Sequence, residues 1–152
     1  MDHYVVRAGA PFGDVSFWLE AGTIVEVSLG AETGGQAAPR TWEKALREHL
    51  LGRRHFPVAL DFSGISPFRT AAMRAAMEIP PGEVATYGEL AERIGHPGAA
   101  RAVGTAMARN PFVLLVPCHR VVPRSGGLGN YGAGNGPATK AALLDWERAQ
   151  LR

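Results

Sequence analysis

Apolar and polar positions change rhythm twice along the chain. Through the first thirty residues the pattern is that of strands. Val5-Val6, Val15-Ser16-Phe17-Trp18-Leu19 and Thr23-Ile24-Val25-Glu26-Val27-Ser28-Leu29 are β-branched or aromatic runs, separated by turn signals at Pro11–Asp14 and Ala21-Gly22. They predict a three-strand antiparallel meander. Residues 30–40 read as a loop. Trp42, Ala45, Leu46, His49 and Leu50 then recur at helical spacing, predicting a helix over Thr41–Leu51 with Thr41 as its cap. Phe56–Phe62 reads as a further strand.

After a short linker, Ser63–Pro67, the rhythm becomes helical. Phe68–Glu78 places Phe68, Ala72, Ala75, Ala76 and Ile79 on one side and stops at Pro80-Pro81-Gly82. Thr86 with Glu89 forms the T-x-x-E of a capping box, opening a helix that runs to about Ile94. Gly95-His96-Pro97 is a tight turn, and Pro97 suits the first turn of a helix ending near Arg109. Two short helices about a glycine turn predict a helix-turn-helix. Phe112–Val116 reads as a strand leading into Pro117-Cys118-His119-Arg120. A glycine-rich loop spans Ser125–Gly136. Ala138–Gln150 reads as an amphipathic helix with Ala142, Leu143, Trp146 and Ala149 on its apolar face. The fold class predicted is α+β: a small antiparallel sheet with a helix (1–62), a linker (63–67), and a mostly helical, winged-helix-like part with a helix-turn-helix (68–152).

Composition narrows the function. The 152 residues are 46% hydrophobic and 20% charged, which fits a chain with a buried core. No apolar run approaches the roughly 20 residues of a membrane span, and the N-terminus lacks a signal-peptide core. Membrane partners are therefore not expected, and a cytoplasmic location is. A single cysteine excludes an internal disulfide and paired-cysteine metal frameworks. Neither a metal nor a cofactor is expected. The net charge of +2 is unevenly spread: from Arg93 through Leu144 there are six basic residues and no acid. Such a stretch suits a surface that meets an anion, nucleic acid above all.

Cys118 is the candidate nucleophile. His119 can take its proton, and Arg120 adds positive charge nearby; both favour thiolate. Neighbouring side chains point apart in a strand, so the pair cooperates only in a turn or through water. A carboxylate should orient the imidazole, and the residues by themselves leave Glu83, Glu89 and Glu147 all open.

The stretch Asn110-Pro-Phe-Val-Leu-Leu-Val-Pro-Cys-His-Arg-Val-Val122 resembles the active-site motif of O6-alkylguanine-DNA alkyltransferases (methylated-DNA–protein-cysteine methyltransferases). Ile79–Ala91 and Ala99–Met107 resemble the family's helix-turn-helix. Gly129-Asn-Tyr131, Lys140 and Leu143–Glu147 resemble its binding loop and last helix. The resemblance implies a single-turnover DNA repair reaction in which Cys118 takes the alkyl group from guanine O6. It makes His119 the base through water, Glu147 its orienter and Tyr87 the proton donor to the leaving guanine. Arg101 would fill the gap left by the flipped nucleotide, with Ala100, Ala102 and Gly104 allowing close approach and Arg120 among the DNA contacts. Asn110 would brace the turn before the nucleophile. Met107, Val116, Tyr131, Gly132 and Lys140 would form or support the substrate pocket. The implied partner is duplex DNA carrying O6-alkylguanine, with O4-alkylthymine as a further substrate in view, bound by a monomer.

The chain departs from the family pattern in carrying Met73 where a tryptophan is usual, and in Arg69 and Thr70 where a glutamine or other polar residue falls. The loop after Tyr131 is about two residues longer than the common form. Some members hold a structural zinc in the first part partly through cysteines, and residues 1–67 have none. Three rival readings are weaker. A non-catalytic alkyltransferase-like lesion binder would lack Cys118. A thiol hydrolase leaves the helix-turn-helix unexplained, and a transcription factor leaves Pro-Cys-His-Arg unexplained.

Overall fold

A computed structural model describes residues 1–30 and 34–152. Strands β1 (Asp2–Arg7), β2 (Asp14–Glu20) and β3 (Thr23–Leu29) form the expected antiparallel meander. Val15, Phe17 and Leu19 of β2 turn inward, as a strand's period of two dictates. A fourth strand, β4 (Gln36–Ala37), pairs parallel with β1 and completes the order β3-β2-β1-β4. It falls inside the expected loop 30–40, of which residues 31–33 lie outside the described residues. Both β4 residues are exposed, so no hydrophobic signal marks it.

Helix α1 (Thr41–Leu50) buries Trp42, Ala45, Leu46 and Leu50, one face at helical spacing. Trp42 packs edge-on against Phe17 and Phe56, with centroids 5.3 Å apart in both pairs. Thr41 does not cap this helix: Arg40 holds the cap position, with no side-chain bond. The strand expected at Phe56–Phe62 is a single parallel bridge, Ile24 to Leu60, on the outer edge of β3.

Helix α2 (Pro67–Met77) starts where proline is tolerated, with the Ser66 hydroxyl accepting from Arg69 N. It buries Ala72, Met73, Ala75 and Ala76. Helix α3 (Tyr87–Arg93) carries the complete capping box: Thr86 Oγ1 accepts from Glu89 N, and Glu89 Oε1 accepts from Thr86 N. Helix α4 (Ala100–Ala108) begins three residues beyond Pro97, because Gly98 takes a positive φ of 88° that no helix contains. These two helices pack against each other and against α2. Strand β5 (Ala85–Thr86) pairs parallel with β6 (Val121–Val122), which brings Tyr87 beside the segment that follows Cys118.

Phe112–Val116 is not a strand. Phe112 and Val116 close a turn through Val116 N donating to Phe112 O at 2.8 Å, and Leu114 sits in the left-handed region at φ 72°. Phe112, Leu114, Leu115 and Val116 are all buried. An apolar run of this length reads the same whether it is a strand or a buried turn, and only tertiary contacts choose. Helix α5 (Pro137–Gln150) presents Lys140, Leu143, Leu144 and Glu147 to the interior, while Ala149 is exposed. The buried face is therefore rotated from the one its apolar residues predict, because two of the buried positions are charged. Buried residues from both parts of the chain form one continuous core.

Candidate functional site

The turn ending at Val116 runs through Pro117 into a 3-10 turn, Cys118–Arg120, whose three side chains are all buried. Glu147 meets this turn from α5. Its carboxylate accepts from His119 Nε2 at 2.7 Å, from Arg120 Nη2 at 2.7 Å, from Arg120 Nε at 3.0 Å and from Gly82 N at 3.0 Å. Burial acts to raise the Glu147 pKa, but the bonds from His119 and Arg120 prevail and hold it at about 2. Of the three candidate carboxylates, Glu147 is thus the one at the imidazole; Glu89 caps α3 and Glu83 is exposed.

An ionised Glu147 accepts only, so His119 Nε2 carries the proton and Nδ1 keeps its lone pair. That Nδ1 is buried and has no hydrogen-bond partner among the described residues. Burial lowers the His119 pKa more than Glu147 raises it, so the ring is neutral at pH 7 and free to take a proton.

Cys118 Sγ accepts from Asn110 Nδ2 at 3.1 Å. The same amide nitrogen donates to Val116 O at 2.9 Å, and Asn110 Oδ1 accepts from Phe112 N at 2.9 Å. Asn110 therefore braces both ends of the 112–116 turn and touches the sulphur. Burial pushes the Cys118 thiol up, against the Asn110 bond and the positive charge of Lys140. His119 and Arg120 do not favour thiolate as their adjacency in the sequence suggests: burial prevails at the thiol, His119 is neutral, and Arg120 spends its charge on Glu147.

A cavity of about 430 Å³ opens on Cys118 and is lined by Asn110 and by Met107, Tyr131 and Gly132, three of the expected pocket residues. Glu26–Leu29 of β3 also line it, which the sequence does not show because only the fold brings that edge strand there. The Tyr131 hydroxyl is buried without a hydrogen-bond partner among the described residues. Val116 and Lys140 do not line this cavity. Val116 is fully buried, and Lys140 Nζ donates to Val121 O at 2.8 Å, pinning β6 to α5.

A second cavity, about 530 Å³, holds Tyr87, Ala100, Arg101, Gly104, Gly129 and Asn130 among its lining residues. Burial and the nearby Cys118 keep the Tyr87 phenol protonated. Gly129 at φ 74° is needed here: a Cβ would lie 2.9 Å from Pro123 Cδ and 3.5 Å from the Tyr87 hydroxyl. Ala102 and Arg101 are exposed, and Arg101 has no side-chain hydrogen bond or ion pair among the described residues. Arg120 is a different case. Placed by expectation among DNA contacts, it is 4% exposed and donates to Glu147, Ile79 O and Leu50 O. It has no surface to offer a phosphate. Among the described residues no group of three or more His, Cys, Asp or Glu could hold a metal. No helix among them is long and apolar enough to cross a membrane.

Residues 67–149 match the family model described as 6-O-methylguanine DNA methyltransferase, DNA binding domain. A methylated-DNA–protein-cysteine methyltransferase of Mycobacterium leprae is 47% identical over 96 residues, covering 63% of this chain but only 56% of that protein. One of the same name from Mycolicibacterium paratuberculosis is 44% identical over 122 residues, covering 78% and 72%. Among solved structures, Mycobacterium tuberculosis OGT in complex with DNA superposes with a TM-score of 0.79 at 32% identity, covering 99% of this chain and 94% of that one. The O6-methylguanine-DNA methyltransferase of the archaeon Pyrococcus kodakaraensis gives 0.73 at 26% identity, covering 95% and 98%.

Proposed function

The chain belongs to the 6-O-methylguanine DNA methyltransferase family, and from that premise we propose that it repairs duplex DNA by moving an alkyl group from guanine O6 onto its own Cys118. The observation that carries this reading is the sulphur itself. It lies on the wall of a cavity, is bonded to Asn110, and is followed directly by a neutral His119 held by Glu147.

A guanine inside the base stack is unreachable, so the alkylated nucleotide must rotate out of the duplex first. Arg101, exposed on α4 between the small residues Ala100 and Ala102, enters the space the base leaves. With the alkyl carbon seated against Sγ, the thiol proton passes through a water to His119 Nδ1, and the sulphur attacks the carbon. The S–C bond forms as the C–O6 bond breaks. The electron pair stays on the guanine, which takes a proton from Tyr87. Glu147 stabilises the imidazolium formed at His119, and Arg120 keeps Glu147 ionised for that task.

The product at Cys118 is a thioether. A thioether, unlike a disulfide, is not reversed by thiol exchange, so each molecule reacts once. Methyl release from excess O6-methylguanine duplex should stop at one equivalent per protein. Continued release by the same molecules would end this reading. Duplex DNA as partner, a monomeric state and action in the cytoplasm belong to the same proposal, as does the division into residues 1–62, 63–67 and 68–152.

A further inference from the structure

The last turn of α1 touches the segments on either side of Cys118, through Leu115 and Arg120. The Arg47 guanidinium lies over Phe12 at 5.0 Å and Trp146 at 5.8 Å, next to Glu147 on α5. The Leu50 carbonyl, left free at the helix end, accepts from Arg120 Nη2 at 2.7 Å. Between them stands His49, whose two ring nitrogens are both engaged. Nδ1 accepts from Phe56 N at 3.2 Å, so Nε2 bears the proton and donates to Leu115 O at 2.9 Å.

Leu115 is inside the turn that carries Asn110's anchor. The next carbonyl, Val116 O, accepts from Asn110 Nδ2, and that nitrogen also reaches Cys118 Sγ. The turn includes Leu114 at a positive φ, a conformation that a leucine holds only when its surroundings insist. The first part of the chain thus holds this segment at two points, Val27 N donating to Pro111 O at 2.7 Å and His49 Nε2 donating to Leu115 O, and the His49 bond lands on the strained turn two hydrogen bonds away from the sulphur.

We infer that His49 is a positioning residue for alkyl transfer: by holding the Leu115 carbonyl it sets the 112–116 turn, and through that turn the Asn110 amide against Cys118 Sγ. The inference rests on the reading of Cys118 as the alkyl acceptor. It assigns the first part of the chain a task in the reaction besides filling the core.

The test uses the two halves of the imidazole separately. His49→Gln puts an amide nitrogen about where Nε2 stands, keeping a donor for Leu115 O. His49→Asn puts an oxygen about where Nδ1 stands, keeping the acceptor for Phe56 N and losing the strut. The full chain and both variants are mixed with O6-benzylguanine, a free base that needs no flipping. Alkylation of Cys118 is followed by intact mass over a range of concentrations, with thermal unfolding recorded alongside. His49→Asn should lower the maximal first-order rate about tenfold or more, since misplacement by an ångström costs up to about a hundredfold, while the half-saturating concentration stays put. His49→Gln should recover a rate within about twofold of the original. Equal losses in both variants, wild-type rates in both, or a loss confined to Gln would overturn the role assigned to His49. So would an Asn rate that falls only in step with melting. If the unaltered protein takes no alkyl group from O6-benzylguanine or from O6-methylguanine duplex, the acceptor reading falls and the inference with it; if it takes methyl from duplex alone, the same comparison of variants is read there.

Discussion

Arg120 and Arg101 carry the same guanidinium in opposite settings. Arg120 is 4% exposed, and every donor group it has is committed to Glu147, Ile79 O or Leu50 O. Arg101 is exposed on α4 and committed to nothing among the described residues. The first costs solvation and recovers it through a closed set of bonds. The second keeps its solvation and its rotamers until a ligand arrives. Around Cys118 the polar network is complete among the described residues, apart from His119 Nδ1 and the Tyr131 hydroxyl. On α4 the network is left open, as the proposed duplex binding requires. Chemistry needs groups already in place, whereas groove binding needs side chains free to adapt.

The sharpest break of this comparison is in stability. Arg120→Met should destabilise the protein by about 3–5 kcal/mol, because Glu147 would be left buried without its main partner. Arg101→Met should stay within about 0.5 kcal/mol of the original. Urea unfolding of both checks it, and similar values would mean that the two arginines do not differ as described.

Acid separates the regions next. Glu147 has a folded pKa of about 2 against an ordinary 4.5. A depressed carboxylate contributes its stability in full above 4.5, and that contribution is lost as pH falls from there towards 2. The loss should be on the order of 3 kcal/mol, measured as urea midpoints that fall as the pH is lowered through this window. In Glu147→Gln this part of the slope should be missing. The exposed α4 surface should contribute little to it.

On the open side, Arg101→Ala should slow repair of O6-methylguanine in saturating duplex by about tenfold or more, as flipping costs a few kcal/mol. Transfer from free O6-benzylguanine should be nearly unchanged, and Arg101→Lys should fall between. Equal losses on duplex and free base would remove Arg101 from the flipping step. Duplex affinity should also fall with salt. Arg120 and Lys140 are buried, which leaves Arg93, Arg101, Arg109 and Arg124 exposed in the acid-free run. Four phosphate contacts give a slope of log affinity on log salt of about −4. Arg101→Ala should take about one from that slope, whereas a slope near zero would contradict a phosphate-facing surface. The smallest effect is local: Thr86→Ala removes one arm of the α3 capping box and should cost about 1 kcal/mol, read by urea unfolding.

Much of this was legible in the sequence where local patterns decide. The meander, α1, the Thr86–Glu89 box and the two helices after it follow from spacing, caps and turn residues. Cys118, His119 and Glu147 were marked by the motif they share with a family. What escaped notice depends on distant partners. Arg120 and Lys140 read as surface charge because their carbonyl and carboxylate acceptors lie far along the chain. The buried face of α5 was misread for the same reason. Phe112–Val116 looked like a strand, since an apolar run does not announce a positive φ at Leu114. The wall that β3 gives the Cys118 cavity, and the reach of His49 to Leu115, exist only once the two parts have docked.

In the proposed reaction Cys118 is the alkyl group's destination. Intact mass of the full chain, taken after mixing with a duplex containing a single O6-methylguanine and followed by peptide mapping, tests it directly. The expected result is a gain of one methylene equivalent per molecule, carried by Cys118, with the DNA left bearing unmodified guanine and no gain in Cys118→Ala. An unchanged mass, or a methyl group mapped to any other residue, would contradict it.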